Sequence, residues 1–117
     1  MKYTRLLAAA AIACLALVSC KSEYELLLNG SDTELKYSKA FEYFNQGKFQ
    51  KAAQLFESLS MVTAGTPQDD TVQYYWGLSN YRFRDYITAQ TNFQNFITNY
   101  PASPFTENAT YLKVDCL

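Results

Sequence analysis

At 117 residues the chain has room for one domain at most. With no histidine and a formal charge of −1, it lacks the imidazole that His/Cys zinc sites and Ser-His catalysis require. It also lacks the basic footprint of a nucleic-acid binder. The conspicuous excess is aromatic, with ten Tyr and eight Phe beside one Trp.

Residues 1–19 read as a secretory signal. Lys2 and Arg5 form a short positive head, Leu6 to Val18 is almost wholly apolar, and Leu17-Val18-Ser19-Cys20 closes the segment. The apolar stretch is too short to span a bilayer comfortably. Its ending resembles the lipobox of bacterial lipoproteins, in which cleavage falls before the cysteine and that residue carries the lipid. The resemblance implies a mature chain starting at Cys20, with diacylglycerol on the sulfur and an acyl chain such as palmitate on the new amine. Cys14 would leave with the signal and Cys116 would stand without a partner, so no disulfide framework is expected. Without Lys2 and Arg5 the eight remaining basic residues face eleven acidic ones, a net of −3.

Residues 20–30 read as a lipidated tether ending in Leu26-Leu27-Leu28, and residues 31–117 as the folded domain. Ser31-Asp32-Thr33-Glu34 fits a capping box opening a helix to about Gln46, with Gly47 as its left-handed stop. A second helix starts near Lys48 and carries Phe49, Ala52, Ala53, Phe56 and Leu59 on one stripe. Thr66-Pro67 offers a cap followed by proline, with Asp69 and Asp70 suited to the positive end of a third helix reaching Arg82. A fourth helix is expected from Asp85 to about Tyr100, where Pro101 ends it. Ser103-Pro104 repeats the cap-plus-proline signal before a fifth helix over Glu107 to Leu117. No stretch alternates like a strand.

The chain also resembles itself at a spacing of 37 residues. Gly47-Lys48-Phe49-Gln50-Lys51-Ala52-Ala53 is answered by Arg84-Asp85-Tyr86-Ile87-Thr88-Ala89-Gln90, and Tyr37, Ala40, Phe41 and Phe44 by Tyr74, Gly77, Leu78 and Tyr81. Such a period marks stacked units, none of which buries its apolar face alone. Tyr111 and Val114 continue the series, so two complete units and the start of a third are expected, as in the N-terminal part of a longer protein.

The helix–turn–helix spacing resembles the tetratricopeptide repeat, with the small positions filled by Ala40, Ala52, Gly77 and Ala89, the buried aromatic by Phe56 and Phe93, and the terminating proline by Pro101. The family period is about 34 residues, so the longer spacing puts extra residues between units. The resemblance implies an all-α solenoid of helical hairpins. The positions that carry a large apolar residue and an aromatic in the family are Lys36 and Tyr43 in unit one and Gln73 and Asn80 in unit two, and the aromatics stand one place later as Tyr37, Phe44, Tyr74 and Tyr81. In the family those later positions line a concave peptide groove. The four aromatics are therefore either a candidate peptide groove or ordinary core, and apolar helical stripes are mostly buried.

Lipobox, tether and repeats, together with Tyr43-Phe44-Asn45-Gln46-Gly47-Lys48-Phe49 and Asn99-Tyr100-Pro101-Ala102-Ser103-Pro104, resemble the BamD-type lipoproteins of the outer-membrane β-barrel assembly machinery. The resemblance implies a non-enzymatic protein that needs neither cofactor nor metal. It would be lipid-anchored to the outer membrane on its periplasmic face. Its partners would be the barrel-forming assembly subunit and unfolded outer-membrane proteins, and not nucleic acid. An alternative is the repeat region of a glycan-uptake or other cell-envelope lipoprotein, which would need several hundred further residues. A peptidoglycan-processing enzyme would need a catalytic domain downstream. Asp69-Asp70 lack the converging groups of a catalytic or metal pair.

Overall fold

The structure is a computed structural model and describes residues 23–117. Cys20 and the signal segment lie outside the described residues. The chain divides after Asp32 into two compact units. In the first, residues 23–29 are helical and the Gly30 amide donates to the Leu27 carbonyl at 3.4 Å.

The second unit holds five helices: α1 (Thr33–Asn45), α2 (Phe49–Thr63), α3 (Asp69–Arg82), α4 (Tyr86–Asn99) and α5 (Thr106–Asp115). Each packs on the next in sequence. No described residue is in a strand. The fold is all-α and tetratricopeptide-like, with two helical hairpins followed by the first helix of a third.

The turns inside the hairpins explain the register. Gly47 sits at φ 76°, and the amides of Gly47 and Lys48 donate to the carbonyls of Phe44 and Tyr43 at 3.0 and 2.9 Å. This is a left-handed helix stop closed by backbone bonds. The same pair recurs 37 residues on, from Arg84 to Tyr81 and from Asp85 to Asn80 at 3.0 and 2.9 Å. There the left-handed residue is Arg84 at φ 69°. Asp85 then caps α4, its carboxylate accepting from the Thr88 amide at 3.2 Å.

The helix starts differ from the sequence expectations. α1 begins at Thr33, which puts Asp32 rather than Ser31 at its cap position. Thr66 does not cap α3. Its hydroxyl donates back to the Thr63 carbonyl at 2.7 Å, and Gln68 occupies the cap without a side-chain bond. A tight turn from Thr66 to Asp69, closed at 3.2 Å, takes up Pro67, for which the fixed φ of proline is suited. Its counterpart runs from Ser103 to Thr106 at 3.1 Å, so Pro104 lies before α5 and Phe105 stands at its cap position.

Within the hairpins the small positions are fully enclosed. Ala40, Ala52, Phe56, Ala89 and Phe93 have no exposed surface. A Cβ on Gly77 would stand 2.8 Å from the Phe93 ring and 3.1 Å from the Asn92 Cβ. Close helix approach here depends on missing atoms, and a buried phenylalanine fills the space beside them. Such burial stabilises by about 1.5–3 kcal/mol per ring. At the far end Tyr111, Val114 and Leu117 are exposed.

Candidate partner-binding surfaces

The displaced aromatics fall at the junctions between units. Tyr74 is 4% exposed. Its ring stacks on Phe105 at 4.5 Å between centroids, and its hydroxyl accepts from the Asn108 amide. No face of Tyr74 is left for a ligand, because the start of the third unit covers it. For that residue the burial favours core over groove. Tyr81 is half-buried, edge-on to Tyr86 at 5.6 Å, and donates its hydroxyl to Asp115 of α5. That bond holds the Tyr81 phenol up at about 12.

Phe44 and Tyr37 occupy the same places one unit earlier. Phe44 packs edge-on to Phe49 at 5.3 Å and Tyr75 at 5.4 Å. Tyr37 touches Phe41 at 5.1 Å, and partial burial raises its phenol above the ordinary range. It also borders an open cavity of about 360 Å³ lined by Thr33, Glu34, Val62, Thr63, Thr66 and Gln68. Tyr37 thus stands beside a space that could receive a side chain.

Tyr75 is the hub that the repeat did not announce. It meets Phe41, Phe44 and Phe56 of the first unit at 4.8, 5.4 and 6.0 Å, and Phe105 at 6.1 Å. Its counterpart 37 residues earlier is Ser38, so periodicity gives no hint of it.

The polar departures from the repeat pattern bond across each hairpin. Lys36, 7% exposed, donates to the Ser58 hydroxyl at 2.9 Å. Asn80 donates to Asn92 at 2.8 Å, and Asn99 to Gln73 at 3.3 Å. Buried polar groups are retained where they are satisfied in this way.

Asp69 is 1% exposed and ties the inter-unit loops together. It accepts from the Thr63 hydroxyl at 2.6 Å, from the Gln73 amide at 2.8 Å and from the Tyr100 hydroxyl. The last bond pushes the Tyr100 phenol up to about 12. Asp70 beside it accepts from the Ser103 hydroxyl at 2.9 Å. The acidic pair joins two loops as well as standing in the first turn of α3, a role that sequence spacing did not signal. Among the described residues no group of His, Cys, Asp or Glu could hold a metal, and no helix is long and apolar enough to cross a membrane.

Two further cavities stand in equivalent places. One of about 240 Å³ is bordered by Ala53, Gln54, Glu57 and Trp76 among others. The other, of about 350 Å³, is bordered by Gln90, Thr91, Gln94, Asn95 and Lys113. The fold thus offers recurring shallow recesses along stacked helices, an arrangement suited to contact with an extended partner.

Residues 29–117 match a family model, YfiO, described as outer membrane lipoprotein. Over 115 residues the chain is 30% identical to a curated protein of Aquifex aeolicus (strain VF5) called putative outer membrane protein assembly factor BamD. The alignment takes in 97% of this chain and 37% of that relative's length.

Proposed function

We infer the role of this chain from its kinship: it belongs to the YfiO family of outer membrane lipoproteins. It acts in outer-membrane protein assembly as a non-enzymatic subunit, binding the barrel-forming subunit and unfolded barrel precursors through its helical repeats. Cys20 carries the lipid, and the repeats face the periplasm. The observation that carries this reading is the match to an assembly-factor relative along nearly the whole chain. The stacked hairpins and their recesses support it, since they offer surface for extended partners.

Within this reading Tyr37 is the contact for an apolar precursor side chain, entering the cavity beside Val62 and Thr63. Phe44, Tyr74 and Tyr81 support it by fixing the stack of first helices. The test is expression of the full gene in its native background, with a photo-crosslinking residue at position 37 and another at Glu57. Co-purification with the barrel-forming subunit and precursor crosslinks from position 37 are expected. Absence of the subunit from the purified protein would remove the assembly role, and equal crosslinking from both positions would remove Tyr37 as the contact.

A further inference from the structure

The two hairpin turns have the same backbone and opposite surface chemistry. Their closing hydrogen bonds are paired at a spacing of 37 residues, and both hold one residue in the left-handed region. Unit one builds its turn from Asn45-Gln46-Gly47-Lys48-Phe49-Gln50, and unit two from Arg82-Phe83-Arg84-Asp85-Tyr86-Ile87. The first set shows what the turn needs structurally: a glycine at the left-handed position, polar residues on either side of it, and one half-buried aromatic, Phe49, against Phe44. The second set keeps an aromatic, Tyr86, in the place of Phe49 and departs elsewhere, with Phe83 answering Gln46 and Ile87 answering Gln50. Arginine takes the glycine position, where a side chain is disfavoured. Phe83, Tyr86 and Ile87 are 49%, 42% and 85% exposed.

The charges are equally selective. Apart from Arg5 the chain has two arginines, and both stand at this turn, exposed on either side of Phe83. Lys48 and Lys51 lie at the neighbouring turn, over the Tyr43 ring at 5.7 and 5.6 Å. The loops at the other ends of the same helices carry Asp69 and Asp70, and α5 begins there with Glu107. Four of the seven basic residues among those described thus stand at the two turns, and the acids near them, Asp85 and Asp115, are engaged with the Thr88 amide and the Tyr81 hydroxyl.

We propose that the turn between α3 and α4 is a membrane-contact tip, in which Phe83, Tyr86 and Ile87 enter the boundary of an anionic bilayer while Arg82 and Arg84 engage lipid phosphates. Guanidinium groups suit phosphate because they present paired donors in a plane. Tyrosine and aliphatic side chains beside basic residues are the composition of the headgroup boundary. Membership in an outer membrane lipoprotein family places such a surface within reach. Acyl chains on a lipoprotein cysteine already supply affinity, so the contribution of the tip is orientation, holding the solenoid at a fixed attitude to the bilayer.

The test uses the full lipidated chain on vesicles of phosphatidylethanolamine and phosphatidylglycerol, some of it brominated in the acyl chains. A Cys116→Ser background carries an environment-sensitive fluorophore at Ile87→Cys or, as reference, at Gln50→Cys, its counterpart in unit one. Bromolipid quenching is expected at position 87 and not at position 50. It should fall to background in Arg82→Asn/Arg84→Gly, which copies unit one, and on vesicles of phosphatidylcholine alone. The arginine variant should melt no lower than its parent, since glycine relieves the left-handed residue. A chain that floats with vesicles while position 87 stays unquenched overturns the tip and leaves the assembly role standing. A chain that does not float overturns the anchor and the tip together. A label silent on vesicles but shielded on adding the barrel-forming subunit reassigns the turn to a protein partner and refutes the membrane contact.

Discussion

Asp69→Ala would remove the acceptor of three side-chain donors and leave those donors in place. Thr63 is 5% exposed and is the least accessible of the three donors, whereas Gln73 and Tyr100 are half-buried and can be partly rehydrated. A net hydrogen bond to a charged group contributes about 1.5–3 kcal/mol. One full loss and two partial ones give a destabilisation of about 3–5 kcal/mol. Asp69→Asn keeps the shape. Its carbonyl can still accept from Gln73 and Tyr100, and its amide can donate to the Thr63 hydroxyl, which is able to accept. What goes is the charge, so the expected loss is only about 1–2 kcal/mol. Urea unfolding of both variants, followed by helical circular dichroism at neutral pH, measures the difference. If the alanine variant lies within about 1 kcal/mol of wild type, or matches the asparagine variant, the idea that Asp69 fastens the loops is wrong.

Gly77→Ala should cost about 1–2 kcal/mol, since a Cβ 2.8 Å from the Phe93 ring outweighs the gain in helix propensity; a stabilised variant in thermal melts would contradict the close contact. Tyr81 and Tyr100 both have phenols raised to about 12 from 10.0. Their contribution is therefore complete below pH 10 and is lost as the pH climbs through 12, and Asp115→Asn should return Tyr81 towards the ordinary range in a tyrosinate absorbance titration. A single transition for all the tyrosines near their ordinary value would count against both bonds. Tyr74→Ala should cost about 3–5 kcal/mol by opening a cavity under Phe105, while Tyr37→Ala should cost less than half as much and weaken precursor crosslinking. Cys20→Ala should abolish incorporation of labelled palmitate, and a variant that still takes it up would place the lipid elsewhere.

The helices were legible because local chemistry announces them. Gly47 and Pro101 end helices where the sequence puts them, and the Phe49 to Leu59 stripe is the buried face of α2, with Ala52, Phe56 and Leu59 fully enclosed. Helix beginnings were less legible. Thr66-Pro67 and Ser103-Pro104 carry a cap signature but serve a preceding turn, and nothing local separates the two uses. The aromatic period correctly located equivalent positions, yet it could not say that Tyr74 would be covered by Phe105, a residue 31 further along. The roles of Tyr75 and Asp69 were invisible. Tyr75 answers Ser38 and so does not repeat, and Asp69, which answers Asp32, reads in the sequence only as a helix-start acid; what each one touches comes from more than one unit. Lys36 and Asn80 looked like departures from a pattern, and their partners Ser58 and Asn92 are fixed only by how two helices face each other.

Tyr75 also sets a timetable. The rings of Phe41, Phe44 and Phe56 find their common neighbour only in α3, and Tyr74 in turn waits for Phe105. A polypeptide delivered N-terminus first cannot finish its first hairpin until 19 further residues have followed Phe56. Until then Phe41 and Phe56 have each other and Phe44 has Phe49, so the hairpin holds a partial core that waits for its last ring. Tertiary order would advance in steps that straddle the sequence repeats, each new first helix closing the hairpin before it.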